Sequence, residues 1–319
     1  MTVKELHERQ KWSLDQKIDH SLGVINQFYE RLNGQVYISF SGGKDSTVLY
    51  WLARKLYPNI KAVFCNTGNE YPDIVKFVRE MKDQGMNIEI IYPKLKPREV
   101  LAKYGFPLVS KVSSMCVRHI RTTHSEKLKK YRLYGDEGRK AGTLAKKWHW
   151  LVNEQFDTSE LCCEKLKKQP FHEYEKRTGL HSIQGLMAGE SKSRQELYLR
   201  QGQCNVFSEE PYKTKSTPLS IWLEQDIWDC IEKYKIPIAE IYHKGATRTG
   251  CMFCGYGCQF KQDTRLQLVY DLYPKWYEHF MKYENNGVTY REAMRKVLAV
   301  NDLYLPDEKP KNLFDNLND

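Results

Sequence analysis

The hexapeptide Ser41-Gly42-Gly43-Lys44-Asp45-Ser46 constrains this chain most, because it sits between an apolar run, QVYISF, and a helical pattern, TVLYWLARKLY. Two adjacent glycines let the backbone turn tightly and aim several N–H groups at one point. The helix that follows adds the positive end of its dipole, so the turn suits a phosphate or pyrophosphate. Lys44 brings a point charge, and Ser41, Ser46 and Thr47 bring hydroxyl donors. The spacing differs from the Walker A loop, in which four residues separate the two glycines. A plain serine-capped glycine turn shares the glycines but not the whole hexapeptide in a strand–turn–helix setting.

Around this loop strands and helices alternate. QVYISF, KAVFCNT and NIEIIYP read as short strands, and the stretches after each read as helices, including Tyr71 to Lys82 and REVLAKYG. Alternation with short links predicts an α/β fold, a parallel sheet covered by helices. Residues 4–33 read as one or two amphipathic helices, with Leu22, Ile25, Phe28 and Tyr29 at helical spacing. HSIQGLMA resumes a strand, Trp222 to Tyr234 a helix, and 263–283 and 288–299 two more helical stretches; the tail DEKPKNLFDNLND reads as frayed.

Charge narrows the partners. The chain has 50 Lys and Arg against 40 Asp and Glu, a net +10, which favours nucleotides, nucleic acid or an acidic protein. Residues 110–160 are rich in Lys, Arg and His, and read either as a solvated helical excursion or as a basic surface for a polyanion. No run of 18 apolar residues exists, so no transmembrane helix and no membrane partner is expected. The polar start MTVKELHERQ lacks a secretory core, and a cytoplasmic location is the expectation.

Nine cysteines stand at 65, 116, 162, 163, 204, 230, 251, 254 and 258. Clustered cysteines in a cytosolic chain point to metal or redox chemistry rather than to disulfides. Cys162-Cys163 form an adjacent pair, and Cys251 and Cys254 a C-x-x-C; four such thiolates can hold an iron–sulfur cluster or a structural zinc. Cys65 and Cys230 lie in apolar surroundings and read as core thiols. Cys116 reads either as a thiol whose pKa the flanking Arg118, His119 and Arg121 lower or as a plain surface thiol. Cys258 is open: a ligand, a sulfur carrier or an inert thiol.

The hexapeptide resembles the pyrophosphate loop of the adenine-nucleotide α-hydrolase superfamily, which includes ATP pyrophosphatases, tRNA thiolation enzymes and the adenylyl-sulfate and phosphoadenylyl-sulfate reductases. The resemblance implies a Rossmann-like parallel sheet of five strands binding ATP or an adenylyl-sulfate nucleotide at its carboxyl edge, with Mg2+. Thr67, Gly68 and Glu70 match the reductases' second loop, with Asn66 where an Asp is usual. CCEKLKKQP and the segment ending in GATRTGCMFC resemble the cysteine segments of iron–sulfur adenylyl-sulfate reductases, which implies a 4Fe–4S cluster on Cys162, Cys163, Cys251 and Cys254. A third block, Gly185 to Arg194, resembles the reductases' phosphate-contacting segment, and makes Gly185, Glu190, Ser191 and Arg194 candidate nucleotide or magnesium contacts. Its G-x-x-A-x-E-S-x-x-R form is closer to the reductase-like proteins of DNA phosphorothioation systems and mobile elements. Glu190 reads equally as a solvated carboxylate.

The reductases attack sulfur with a cysteine in an E-C-G-x-H segment, whereas here no cysteine follows Cys258. The expected activity is therefore sulfur transfer driven by ATP, with Lys44, Asp45 and Cys258 as candidate catalytic residues and nucleic acid among the acceptors. Reduction of adenylyl sulfate or phosphoadenylyl sulfate to sulfite, and a non-catalytic nucleotide-binding subunit, are the alternatives. A cysteine desulfurase as sulfur donor, or thioredoxin as reductant, would be the partner. The expected layout is N-terminal helices over 1–34, a nucleotide-binding domain over 35–250 with a basic helical insert at 110–160, and a Cys-rich helical region over 251–319.

Overall fold

The structure, a computed structural model, describes residues 1–136 and 140–309. Among these lie ten strands: β1 (Val36–Phe40), β2 (Ala62–Cys65), β3 (Ile88–Ile91), β4 (Leu108–Val109), β5 (His181–Gln184), β6 (Asn205–Val206), β7 (Lys215–Ser216), β8 (Gly255–Tyr256), β9 (Glu284–Asn285) and β10 (Val288–Thr289). The chain divides into two compact units.

The first unit comprises residues 1–66, 70–93 and 169–249. Its sheet has the order β3-β2-β1-β5-β7-β6. The first five strands in that order pair in parallel, and β6 adds an antiparallel edge to β7. The sheet therefore has six strands rather than five, because Asn205–Val206 is too short and too polar to read as a strand from sequence. All of β2 and four of five residues in β1 are buried, as a parallel sheet covered on both faces requires. Helix Pro72–Asp83 buries Ile74, Phe77, Val78 and Met81, one stripe at helical spacing, and starts on a proline that presets the first turn. Helix Leu14–Arg31 starts on a reciprocal cap between Ser13 and Gln16. From β1 the sheet grows in both directions, through β2 on one side and β5 on the other, so the loops after β1 and β5 flank a topological switch point.

The second unit comprises residues 67–69, 94–168 and the chain from 250 onward. It is mainly helical, with β4 parallel to β8 and a β9–β10 hairpin. Its core is aromatic: Phe106 packs on Phe156 and Tyr290, and Phe253 on Phe280 and Tyr290. The helical stretch read at 263–283 is two helices, Arg265–Leu272 and Pro274–Met281, because Pro274 forces Tyr273 out of helical backbone. Residues 288–299 begin as strand β10 before helix Tyr290–Ala299, which Thr289 and Glu292 cap reciprocally. Part of the tail read as frayed is ordered: Asp307 and Glu308 sit in a 3-10 turn and bind Arg291 and Arg295. Residues 310–319 of that tail, and 137–139 of the basic stretch, lie outside the described residues.

Candidate functional site

The phosphate loop follows β1 as read, and helix Lys44–Leu56 starts on it with Gly43 as cap. Gly42 has φ +71°, and a Cβ there would stand 2.8 Å from Ile74 Cγ2, so both its backbone and its packing require glycine. Ser46 Oγ accepts from the Ser41 N–H at 3.1 Å and donates to the Gly43 carbonyl at 2.9 Å; Thr47 Oγ1 donates to that carbonyl at 3.0 Å. These hydroxyls shape the loop from inside. Gly185, after β5, comes so close that a Cβ would meet the Asp45 carbonyl at 3.2 Å. The first and third sequence blocks are thereby brought side by side.

Lys44 is buried, with its Nζ 3.0 Å from Asp45 and 3.3 Å from Glu224, and 5.7 Å from the centre of the Trp228 ring. Burial alone would lower its pKa, but the Asp45 and Glu224 carboxylates outweigh that and raise it, so the ammonium stays charged. A cleft of about 170 Å³ is lined by Lys44, Asp45, Met187, Gly189, Glu190, Glu224 and Arg248. Glu190 pairs with Arg194 and accepts from the Met187 N–H at 3.1 Å. Ser191 caps helix Lys192–Gln201 by accepting from the Arg194 N–H. Thr67 and Gly68 belong to the second unit, where Thr67 Oγ1 accepts from the Asn69 N–H; Glu70 belongs to the first.

Sequence reasoning missed several residues here. The Lys44 N–H donates to Tyr242 Oη at 2.9 Å, and that hydroxyl lies 3.1 Å from Thr249 Oγ1. Tyr242 thus holds a backbone donor of the phosphate loop. Glu224 and Trp228, four apart on helix Glu224–Tyr234, share the face that meets Lys44. The helical spacing was visible, but not which face would turn toward the loop.

In the second unit, Cys162 and Cys163 end a short helix, Leu161–Cys163, that runs into a π turn over Glu164–Lys168. Such turns recur at functional sites. The Cys162 thiol is pushed up by its hydrogen bond to Cys163, by burial and by the charges of Cys163, Cys254 and Cys251. Cys163 is pulled down by the Cys162 hydrogen bond, against its burial, with help from Lys111, Lys167 and Lys168. Cys254 is pushed up by burial, partly offset by the Tyr256 backbone and Arg265. The four thiols therefore act on one another electrostatically. Among the described residues, no three His, Cys, Asp or Glu side chains converge tightly enough for a single metal ion. The donor set is all thiol, the ligand type that iron–sulfur clusters and structural zinc take.

The remaining cysteines separate clearly. Cys258 is buried, donates to the Cys254 carbonyl at 3.3 Å, and is pushed up to about 12 by burial, with Arg265 opposing. Cys204 is buried between Tyr198 and His20 and is also raised by burial. Cys65 and Cys230 are buried. Cys116 is not the surface thiol expected: it is fully buried, donates to the Gly142 carbonyl at 3.0 Å, and burial raises its pKa. The reason is that its basic neighbours are engaged elsewhere, Arg118 with Glu160 and Arg121 with Asp157.

The chain is 25% identical over 285 residues to an uncharacterised protein of Methanocaldococcus jannaschii, covering 86% of this chain and 55% of that protein. A second uncharacterised protein of that organism is 27% identical over 237 residues, 74% of this chain and 39% of its own length. The chain thus spans about half, or less, of these two relatives. The adenosine 5'-phosphosulfate reductase of Lysinibacillus sphaericus is 22% identical over 245 residues, covering 76% of this chain and 83% of that protein. Among solved structures, phosphoadenylyl-sulfate reductase from Candida auris, a phosphate complex, superposes with a TM-score of 0.42 and 14% identity over 79% of this chain and 96% of that one. The U34-tRNA thiolase of Methanococcus maripaludis with its 4Fe–4S cluster gives 0.39 and 12%, over 94% and 84%. The profile of the phosphoadenosine phosphosulfate reductase domain matches residues 35–256, from the strand before the phosphate loop to just beyond Cys254. By that match, which takes in more than two thirds of its residues, the chain belongs to the phosphoadenosine phosphosulfate reductase domain family.

Proposed function

We propose that this protein is a nucleotide-dependent sulfur transferase that binds ATP at Ser41–Thr47 and carries a 4Fe–4S cluster on Cys162, Cys163, Cys251 and Cys254. The observation that carries the reading is Lys44: a buried ammonium held charged at the mouth of a glycine loop on a parallel sheet. A charge buried in such a place serves an anion of high charge density.

In this reading the loop amides and the N-terminus of helix Lys44–Leu56 bind the pyrophosphate end of ATP. A phosphate oxygen replaces Tyr242 Oη as acceptor for the Lys44 N–H. Asp45 and Glu190, both lining the cleft, would hold the magnesium that accompanies the phosphates. Gly185 keeps the loop after β5 close enough to shape the cleft, and Arg194 holds Glu190 in place. Positioning and charge neutralisation of this kind are most of what phosphoryl and adenylyl transfer require of a protein. The acceptor oxygen attacks the α-phosphorus of ATP and pyrophosphate leaves; hydrosulfide from a separate sulfur donor then attacks the activated carbon, and AMP leaves with the acceptor oxygen. The cluster, when bound, supplies a centre that accepts or delivers that sulfur.

Reduction of adenylyl sulfate to sulfite is the second reading, favoured by the likeness to adenosine 5'-phosphosulfate reductases. It needs an accessible nucleophilic thiol. All the cysteines outside the four-thiol set, Cys65, Cys116, Cys204, Cys230 and Cys258, are buried, which supports transfer over reduction. Products decide between them. Protein purified without oxygen is supplied with ATP and, in parallel, with adenylyl sulfate and a dithiol. Pyrophosphate from ATP without sulfite supports transfer. Sulfite without pyrophosphate replaces it with reduction, and nucleotide binding with neither product reduces the chain to a binding subunit.

A further inference from the structure

The net charge of the chain has one address. Between residues 94 and 168 the sequence carries 18 Lys and Arg against 8 Asp and Glu, and elsewhere 32 against 32. The whole +10 lies in a segment that belongs to the same unit as the four thiols.

Packing does not account for this. Helix Glu126–Tyr134 buries no residue. Four of the eight acids of the segment pair within it: Glu160 with Arg118, Asp157 with Arg121, Glu126 with Lys129, and Glu164 with Lys168. Lys127, Lys130, Lys140 and Lys146 are exposed and have no carboxylate partner among the described residues. Between these lysines Tyr134 is 66% exposed, with the His149 ring edge-on to it. A membrane-surface helix would need an apolar face, which this helix lacks. Lysines that track a backbone, interleaved with an exposed ring on which a base can stack, are the elements of a single-strand nucleic-acid groove. Helix Lys111–Thr122 packs against helix Glu126–Tyr134, and its Arg118 pairs with Glu160, two residues before Cys162, so this surface is tied to the segment that carries the first two thiols.

We propose that the surface built around helix Glu126–Tyr134 docks single-stranded nucleic acid and presents it to the cysteine set of the same unit. As the acceptor of sulfur this strand rests on the function proposed above; the docking itself does not.

The test uses the whole protein, purified without oxygen, and labelled RNA and DNA strands of about 20 nucleotides, longer than a common single-strand footprint. Binding is followed by fluorescence anisotropy across a salt series, and ATP binding is titrated on the same samples. Single strands are expected to bind more tightly than the matching duplex. Lys127→Ala with Lys130→Ala should flatten the salt slope by about 1.4, two phosphate contacts' worth. Tyr134→Ala should weaken binding about tenfold at an unchanged slope. ATP affinity should stay at the wild-type value in both variants. Preference for duplex, or variants that bind like wild type, overturns the proposal. Absence of strand binding by the wild type with its ATP turnover intact refutes the docking surface alone, whereas strand binding without any ATP binding refutes the transferase reading alone.

Discussion

Lys44 separates a nucleotide site from a structural turn. Its ammonium lies between Asp45 and Glu224 and stays charged despite burial. Lys44→Ala should weaken ATP binding about ten- to a hundredfold, the worth of one charge-assisted contact, and depress turnover with it. Titration of both proteins with ATP checks this, and equal affinity would remove the phosphate-loop assignment. Tyr242 gives a sharper expectation. Its hydroxyl occupies the Lys44 N–H, so Tyr242→Phe should free that donor and tighten ATP binding by about three- to tenfold. Weaker binding would mean that the hydroxyl contacts the nucleotide instead. The loop glycines, serines and Lys44 were legible because their chemistry is local. Tyr242, Glu224 and Trp228 were not, since each reaches the loop from about 180 to 200 residues away in the chain.

At the scale of elements, periodic stretches were read well and polar or short ones were not. β1, β2 and β3 and the helices between them follow from apolar runs and spacing. β6 escaped notice because two residues carry no period, and helix Lys192–Gln201 because it buries only Tyr198. The 3-10 turn Pro306–Glu308 is a brace of known sign. Burial pushes the Asp307 pKa up, but the Tyr277 hydroxyl at 2.7 Å and Arg291 at 2.5 Å outweigh it, so the pKa is lowered overall. A carboxylate lowered on folding contributes stability that is complete above its unfolded pKa, about 3.9 for Asp, and is lost as pH falls through the folded value. Below about pH 4 the brace should therefore fail progressively. Asp307→Asn should cost roughly 1–2 kcal/mol at pH 7 and flatten the acid limb of a thermal-stability profile. An acid limb unchanged by the substitution would assign that pH dependence elsewhere.

At the scale of the molecule, the chain keeps its two chemistries in separate units, the phosphate loop in one and the thiol set in the other. The sequence showed both motifs and the fold class, but not that residues 94–168 fold with the chain after 250, because contact between distant segments leaves no local pattern. Nor does adjacency in sequence reveal that Cys162 and Cys163 lie within electrostatic reach of Cys251 and Cys254. That these four thiols hold one cluster is the claim on which the proposed sulfur chemistry depends. The most direct test is the iron and acid-labile sulfide content of protein purified without oxygen, for wild type, Cys162→Ser and Cys254→Ser. The account predicts about four iron and four sulfide per wild-type chain, with brown colour, and loss of both in each variant. Zinc in place of iron, or wild-type iron in both variants, would contradict it.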